Sequence, residues 1–402
     1  MDTKKHELNE SEQRKRGFRF SLLIWVGIPA LILLVAALWP NSIPQYEGKS
    51  LKKWLEQMDS SNKNSDRVAA LDAIRAIGAK SVPYLRRELR RNDSKPAEWL
   101  AKVVGAPFDY TPAIEYKERA LDAIRVLGPS AQEIQPELEK MLRRGELPLK
   151  VAATITIVNS NAVEVLVECL SHTNSSVRQA VAWAVSKAGP HNEQSVDKLL
   201  FVLNDADGEV RKEAAYSLGV IRMFPDRVLP QLTASLSDAN FYFQTAIQIA
   251  IGSYGTNARS ATPALLALLN EYQGGRKGSV VATLRMIDEP AASQAGFGRS
   301  DLVRMLRSSD EQDKLVAGVA IWHSQDKAHE FIPALADALS DTNITVRRLA
   351  MTSLGNYGKF ASNALPVLAI ALEDPSESLR FAATSAVRRI DPTWFATNST
   401  RN

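Results

Sequence analysis

Few side chains in this chain combine the type and the spacing that chemistry requires. The five histidines are His6, His172, His191, His323 and His329, and no two are spaced like the paired ligands of a zinc-binding helix. His323 and His329 stand six residues apart, which places them across a turn, and no metal site is expected. The single Cys169 sits in the apolar stretch Ala162 to Leu170 with no general base readable beside it. One cysteine cannot close an internal disulfide, so it reads as a buried core thiol. Gly274, Gly275 and Gly278, with Arg276 and Lys277, read as a flexible basic turn. No strand precedes them and no Gly-Lys-Ser/Thr follows, which excludes a phosphate loop. No catalytic residue, cofactor or small-molecule substrate is expected, and the chain reads as a non-enzyme.

Arginine is the residue that follows a pattern. Val177-Arg178, Val210-Arg211, Val346-Arg347 and Leu379-Arg380 are separated by 33, 136 and 33 residues, the middle interval being four periods. A period in this range means helix pairs stacked into a solenoid, because one pair cannot bury its apolar face alone. Asp205 precedes Arg211 by six residues, as Asp341 precedes Arg347 and Asp374 precedes Arg380. A carboxylate at the turn and a guanidinium one helical turn later predict a charge-assisted ladder tying each unit to its neighbour. Elsewhere His172 stands before Arg178, Asp238 before Gln244 and Ser308 before Lys314, and those rungs are expected to be weaker. The alternative for the row is an exposed anion-binding face.

The elements that position these residues follow from the same register. Pro83, Pro136, Pro230, Pro263, Pro333 and Pro366 each open a run of periodic apolar residues, as suits a residue with fixed φ and no N–H at a helix start. Gly78, Gly128, Gly189, Gly255 and Gly358 stand where the preceding helix would end in a left-handed cap. Units begin near Asp66, Tyr116, Pro148, Asn174, Asp207, Asn240, Gly275, Glu311 and Asn343, with a half unit from Ser376 to Pro392. Those near Pro148 and Gly275 are degenerate, and Ala291 to Arg299 reads as a second soft loop.

These Val-Arg pairs, the aspartate ladder, the helix-opening prolines and the near-duplicate segments Ala70 to Arg75 and Ala120 to Arg125 resemble a HEAT-repeat protein, similar to the HEAT-like repeats of phycobilisome lyases. The resemblance covers roughly Asp66 to Pro392 and implies scaffolding and protein binding. HEAT-like hydroxylases that bind iron carry repeated His-Glu dipeptides. Only His6-Glu7 and His329-Glu330 occur here, so that activity is not implied.

Before the repeats, Phe20 to Trp39 is uncharged over twenty residues, enough at about 1.5 Å per residue to cross a hydrocarbon core of about 30 Å. Arg14, Lys15, Arg16 and Arg19 precede it and no Lys or Arg follows until Lys49. The positive-inside rule then predicts a cytoplasmic amino terminus and repeats on the other, periplasmic side in a bacterial envelope. A signal peptide cleaved after Ala37 is the alternative. The segment from Tyr46 begins a helix capped by Ser50, with Leu51, Trp54, Leu55 and Met58 on one face, which either caps the repeats or lies on the membrane with Lys49, Lys52 and Lys53.

Net charge is +4, of which residues 1–19 hold six basic and four acidic side chains, so no nucleic-acid partner is expected. Two local features are candidate partner sites. Arg86, Arg87, Arg90 and Arg91 fall on one side of a second helix and suit an acidic partner, although a solvated face is the commoner outcome for such a run. The insertion Asn92 to Tyr116 carries Trp99, Phe108 and Tyr110, which either meet a partner or fold back on the first units.

The expected molecule is all-α: a basic tail (1–19), a transmembrane helix (20–39), a linker and capping helix (40–65), a right-handed solenoid of nine to ten helix pairs (66–392) and a tail (393–402). Its expected function is that of a membrane-tethered, non-catalytic scaffold binding a protein on its second helices. The alternative is a lyase-like or chaperone-like protein acting on a client.

Overall fold

The computed structural model describes residues 43–60, 64–93, 95, 111–324 and 329–398. The apolar segment 20–39 and the insertion residues Trp99, Phe108 and Tyr110 lie outside them. Among the described residues no helix is long and apolar enough to cross a membrane. Two compact units divide the chain after Glu137.

The first unit opens on a hairpin of β1 (Gln45–Tyr46) and β2 (Lys49–Ser50). Its turn residues Glu47 and Gly48 have φ of 47° and 72°, the left-handed pair of a turn that matches strand twist. The hairpin takes up Gln45 to Ser50, and the helix starts directly after Ser50, the residue expected to cap it, as α1 (Leu51–Ser60). Leu51, Trp54, Leu55 and Met58 are buried against α2 (Asn64–Ile77) and α4 (Ala113–Leu127). Lys49 is not free for a membrane: its Nζ lies 4.0 Å from the Trp54 ring centroid and donates to Gln57 Oε1 at 2.7 Å. Between α2 and α4 lies α3 (Val82–Leu89), with Pro83 in its first turn.

The unit boundary falls in α5 (Gln135–Arg143). The second unit continues with α6 (Pro148–Val158), α7 (Val163–Cys169), α8 (Ser175–Val185), α9 (Glu193–Val202), α10 (Gly208–Ile221), α11 (Pro225–Ala234), α12 (Phe241–Ser253) and α13 (Thr262–Glu271). Then follow α14 (Gly274–Ile287), α15 (Glu289–Gln294), α16 (Arg299–Leu306), α17 (Glu311–Ser324) and α18 (Phe331–Ala338). Last come α19 (Ile344–Tyr357), α20 (Leu365–Ala371), α21 (Glu377–Ile390) and α22 (Trp394–Asn398). Helices α6, α8, α10, α12, α14, α17, α19 and α21 pack in that order, each on the next, and the intervening helices pack beside them.

Local chemistry explains the boundaries. Asn174, Asp207, Asn240 and Asn343 cap α8, α10, α12 and α19, accepting hydrogen bonds from Ser176, Glu209, Phe243 and Thr345 N–H at 2.9, 2.9, 3.1 and 2.7 Å. Gly78, Gly128, Gly255 and Gly358 have φ of 55° to 60°, as expected of cap positions. At Gly128 and Gly358, however, ψ is −136° and −139°, a conformation only glycine enters easily, and it starts a 3₁₀ turn rather than a left-handed cap. Gly189 has no positive φ. Pro83, Pro136, Pro263, Pro333 and Pro366 fall in the first turn of their helices, but Pro230 lies inside α11, which Pro225 opens.

The core runs between stacked helices, and small residues set its spacing. A Cβ on Gly219 would come within 2.8 Å of Ala250 Cα, and one on Gly355 within 3.1 Å of Ala386 Cα. Close approach also corrects the reading of Gly274 to Gly278: these glycines open α14, and a Cβ on Gly278 would meet Val316 O at 2.6 Å. The stretch read as a second soft loop is a loop only over residues 295–298, between the end of α15 and the start of α16. Fully buried Ile155, Leu166 and Phe243 are typical of the core, each such side chain contributing about 1.5–3 kcal/mol.

Candidate protein-binding surface

The arginine ladder exists with a different set of partners. Arg178 donates from Nε and Nη2 to both carboxylate oxygens of Asp205, at 2.7 and 2.8 Å, in the next helix pair. Its Nη1 bonds the carbonyl of His172 at 2.8 Å. Arg211, Arg347 and Arg380 likewise donate Nη1 to the carbonyls of Asp205, Asp341 and Asp374, at 3.0, 2.9 and 2.8 Å. The expected pairing over six residues is therefore through the backbone carbonyl. The carboxylates face the preceding unit: Asp238 to Arg211 at 3.6 Å, Asp341 to Lys314 at 2.6 Å, Asp374 to Arg347 at 3.7 Å. Each aspartate also accepts the N–H two residues on, as Asp205 does from Asp207 at 2.9 Å.

This geometry sets the ionisation of the ladder. The Arg178 guanidinium holds Asp205 below the usual carboxylate range and is itself raised by that bond. At Asp341, burial pushes the carboxyl up, but the Lys314 ammonium and the Asn343 N–H outweigh it and bring it down. Where Gln244 replaces arginine, its amide donates to Leu236 O at 3.1 Å and accepts from Arg276 Nη2 at 2.9 Å.

The second-helix arginines are similarly engaged. Arg86 donates to Glu133 O at 2.9 Å, and its Nε lies 3.7 Å from Glu137, which also pairs with Arg90. Arg91 reaches buried Glu88 at 2.5 Å and lies over the Tyr116 ring. Arg87 contacts Glu88 at 3.4 Å and lies over Tyr84, whose hydroxyl burial pushes up to about 12. The cluster is a paired face rather than an open basic patch. In the second unit Arg143 pairs with Glu168 at 3.0 Å, Arg227 with Glu193 and Asp197, and Arg307 with Asp337 at 3.0 Å. Ion pairs thus run between second helices.

Most exposed large apolar side chains lie on the first helices, with Phe201 of α9 and Ile370 of α20 as the exceptions on second helices. Trp183, Tyr216 and Ile249 each stand five residues after the ladder position in α8, α10 and α12. Trp183 and Tyr216 are half-buried and Ile249 exposed. Val220 and Tyr242, 50% and 67% exposed, extend this face. Its one signal in the sequence is recurrence at a fixed place in the unit, which single-helix amphipathicity hides. Half-buried Glu213 sits on the same helix side, and burial raises its carboxyl.

The titratable residues considered for chemistry sit apart. Cys169 is buried, and burial raises its thiol, which disfavours the nucleophilic thiolate. Burial lowers both His191 and His323. His323 packs on Trp322 and His329 on Phe360, with ring centroids 4.2 and 4.9 Å apart. Among the described residues no group of three or more His, Cys, Asp or Glu could hold a metal ion.

The surface also has a cleft of about 660 Å³ where the second unit departs from regular helix pairs. Between α14 and α17 two short helices, α15 and α16, replace one, and Gly296, Phe297 and Gly298 join them. Lys277, Phe297, Arg304, Met305, Arg307 and Val316 line the space. Arg285, buried beneath, donates Nη1 to Phe297 O at 3.0 Å.

Among the comparisons with known proteins, the match to a repeat-family model agrees with this architecture. No curated protein matches the chain. Among solved structures it is similar to an engineered protein, at 20% identity and a TM-score of 0.35 over 85% of this chain and 98% of that one. It is also similar to Kap95p, whose binding induces the switch loops of RanGDP to adopt the GTP-bound conformation, at 12% identity and 0.41 over 87% and 57%. The third is YibA of Escherichia coli, at 18% identity and 0.39 over 75% and 98%. HEAT repeats match residues 136–219, 196–285 and 300–388. These matches cover more than half of the sequence, and by them the chain belongs to the HEAT-repeat family.

Proposed function

We propose that this protein is a non-catalytic scaffold, tethered to a membrane by residues 20–39, that binds a protein partner on the outward side of its first helices. The observation that carries the binding reading is the recurrence of Trp183, Tyr216 and Ile249 at one place in three stacked helices, widened by Val220 and Tyr242. Aromatic side chains in such a row supply large contact area at low entropic cost and are enriched in binding hot spots. The second helices α5 and α11 suit the role less, because their surface arginines Arg143 and Arg227 are held by neighbouring carboxylates. The tether rests on the uncharged segment and on the four basic residues before it.

A photo-crosslinking amino acid placed at Tyr242 in the full chain, in its native cell, tests the surface, with the same group at Arg227 as comparison. Discrete crosslinks from position 242 alone, lost on Tyr216→Ala, are expected. Equal crosslinking from both positions removes the first-helix reading. Protease treatment of intact cells and spheroplasts carrying a tag after Asn402 tests the tether: protection in spheroplasts would place the repeats in the cytoplasm and overturn the orientation.

A further inference from the structure

We propose that the cleft between α14, α16 and α17 is a second docking site, which takes an acidic peptide segment of a partner with an apolar residue between its carboxylates. The proposal rests on the scaffold reading and adds a place and a chemistry to it.

Cations stand on two walls of the cleft and an apolar surface lies with them. On α14, Lys277 is half-buried, and its ammonium lies 5.6 Å from the centroid of the Phe297 ring with no carboxylate in ion-pair range among the described residues. Arg304 on α16 and Arg307 just past its end are both exposed and line the same space. Arg304 donates only Nη2, to Asp301 at 2.9 Å, and Arg307 directs Nε and Nη2 to one oxygen of Asp337, at 3.2 and 3.0 Å. Both guanidinium groups therefore keep N–H donors for a second carboxylate, which this planar fork is shaped to receive. Asp313 is the one acidic lining residue, and it accepts from Ser308 Oγ at 3.1 Å. Asp301 and Asp337 each engage one arginine from outside the lining, so the attraction for a guest comes from Lys277, unpaired among the described residues, and from the N–H donors that the two arginines keep.

Phe297, Met305 and Val316 supply the apolar part of the lining. A guest must then place negative charge on both sides of an apolar group, which an acidic peptide with a central aromatic or aliphatic residue does. The first turn of α14 adds to the attraction: Gln273 makes no side-chain cap bond, unlike the capping residues of α8, α10, α12 and α19, so the positive end of the helix dipole is left for a guest.

Fluorescence anisotropy on the full chain in detergent micelles tests this, with a fluorescein-labelled peptide Gly-Asp-Glu-Phe-Glu-Asp-Gly as probe. Saturable binding is expected that weakens at least tenfold when Gln and Asn replace the acidic residues, and at least tenfold in the Lys277→Gln/Arg304→Gln variant. Arg227→Gln, on α11 and outside the cleft lining, should leave it unchanged, and unaltered helical circular dichroism would show that the variants fold. Equal binding of the acidic and neutral peptides, or no effect of the double variant, overturns the proposal. So does competition by inorganic phosphate at the peptide's own concentration, which would make the cleft a general anion site. Crosslinking from Tyr242 does not involve these residues, so its persistence beside a failed peptide assay would sink the cleft alone and leave the scaffold reading standing.

Discussion

The rungs of the ladder differ in strength because their geometry differs. Arg178 holds Asp205 through two short parallel bonds, whereas Arg211 meets Asp238 at 3.6 Å and relies on the Asp205 carbonyl. Hydrogen bonds to charged groups contribute about 1.5–3 kcal/mol, so Arg178→Ala is expected to cost about 3 kcal/mol and Arg211→Ala about 1–2 kcal/mol. Urea midpoints check the order, and equal losses would mean that the carbonyl bond dominates. The Asp205 carboxyl lies below its ordinary value, and a depressed carboxylate stabilises the fold above its unfolded pKa of about 3.9 and loses that contribution as pH falls through the folded value. The stability gap between the wild type and Asp205→Asn should therefore be full at neutral pH and close on acidification below about pH 4. A gap independent of pH would show that the aspartate acts by packing alone.

At the scale of the element, spacing between first helices decides which substitutions are tolerated. Gly219 faces Ala250 so closely that an added Cβ would lie 2.8 Å from backbone. Gly219→Val is expected to cost about 1–3 kcal/mol by overpacking, read as a lowered melting temperature, and Gly145 or Gly296 at positive φ would be costly for a different reason, backbone strain. Pro263 is in the first turn of α13 and donates no hydrogen bond. Pro263→Ala should change stability by less than about 0.5 kcal/mol; a loss of folding would place the helix boundary elsewhere. Buried Arg285 joins α14 to the link between α15 and α16 through the Phe297 carbonyl and to α15 through Glu289 at 3.4 Å, polar contacts that a regular helix pair does not need.

Across the molecule, the stack changes character at α21. Thr384 and Arg388 stand four and eight residues after Arg380, where α10 has buried Ala215 and Gly219 and α19 has buried Met351 and Gly355. Both are accessible, and Arg388 lies 5.5 Å from the Phe395 ring of α22. Apart from Phe381, 77% exposed, this side of α21 is polar, as suits the outer face of the last unit in a stack. Thr384→Leu combined with Arg388→Leu is expected to produce concentration-dependent self-association in sedimentation velocity, while a monodisperse variant would show that the face is not a stacking surface.

The amino-acid sequence by itself determined the repeat. Val177-Arg178, Val210-Arg211, Val346-Arg347 and their spacing set the register, and Asn174, Asp207, Asn240 and Asn343 cap helices where that register starts them. Caps, first-turn prolines and apolar periodicity act within about one helical turn, so they can be read along the chain. Only the tertiary structure decided which carboxylate each arginine takes, since Arg178 and Asp205 are 27 residues apart and meet only when two helix pairs stack. It likewise made a helix of the glycines from Gly274, because their value lies in the close approach of α17, and it gathered Lys277, Arg304 and Arg307 around one cleft. These are contacts between units, and a one-dimensional period shows that units repeat without showing what their surfaces bring together.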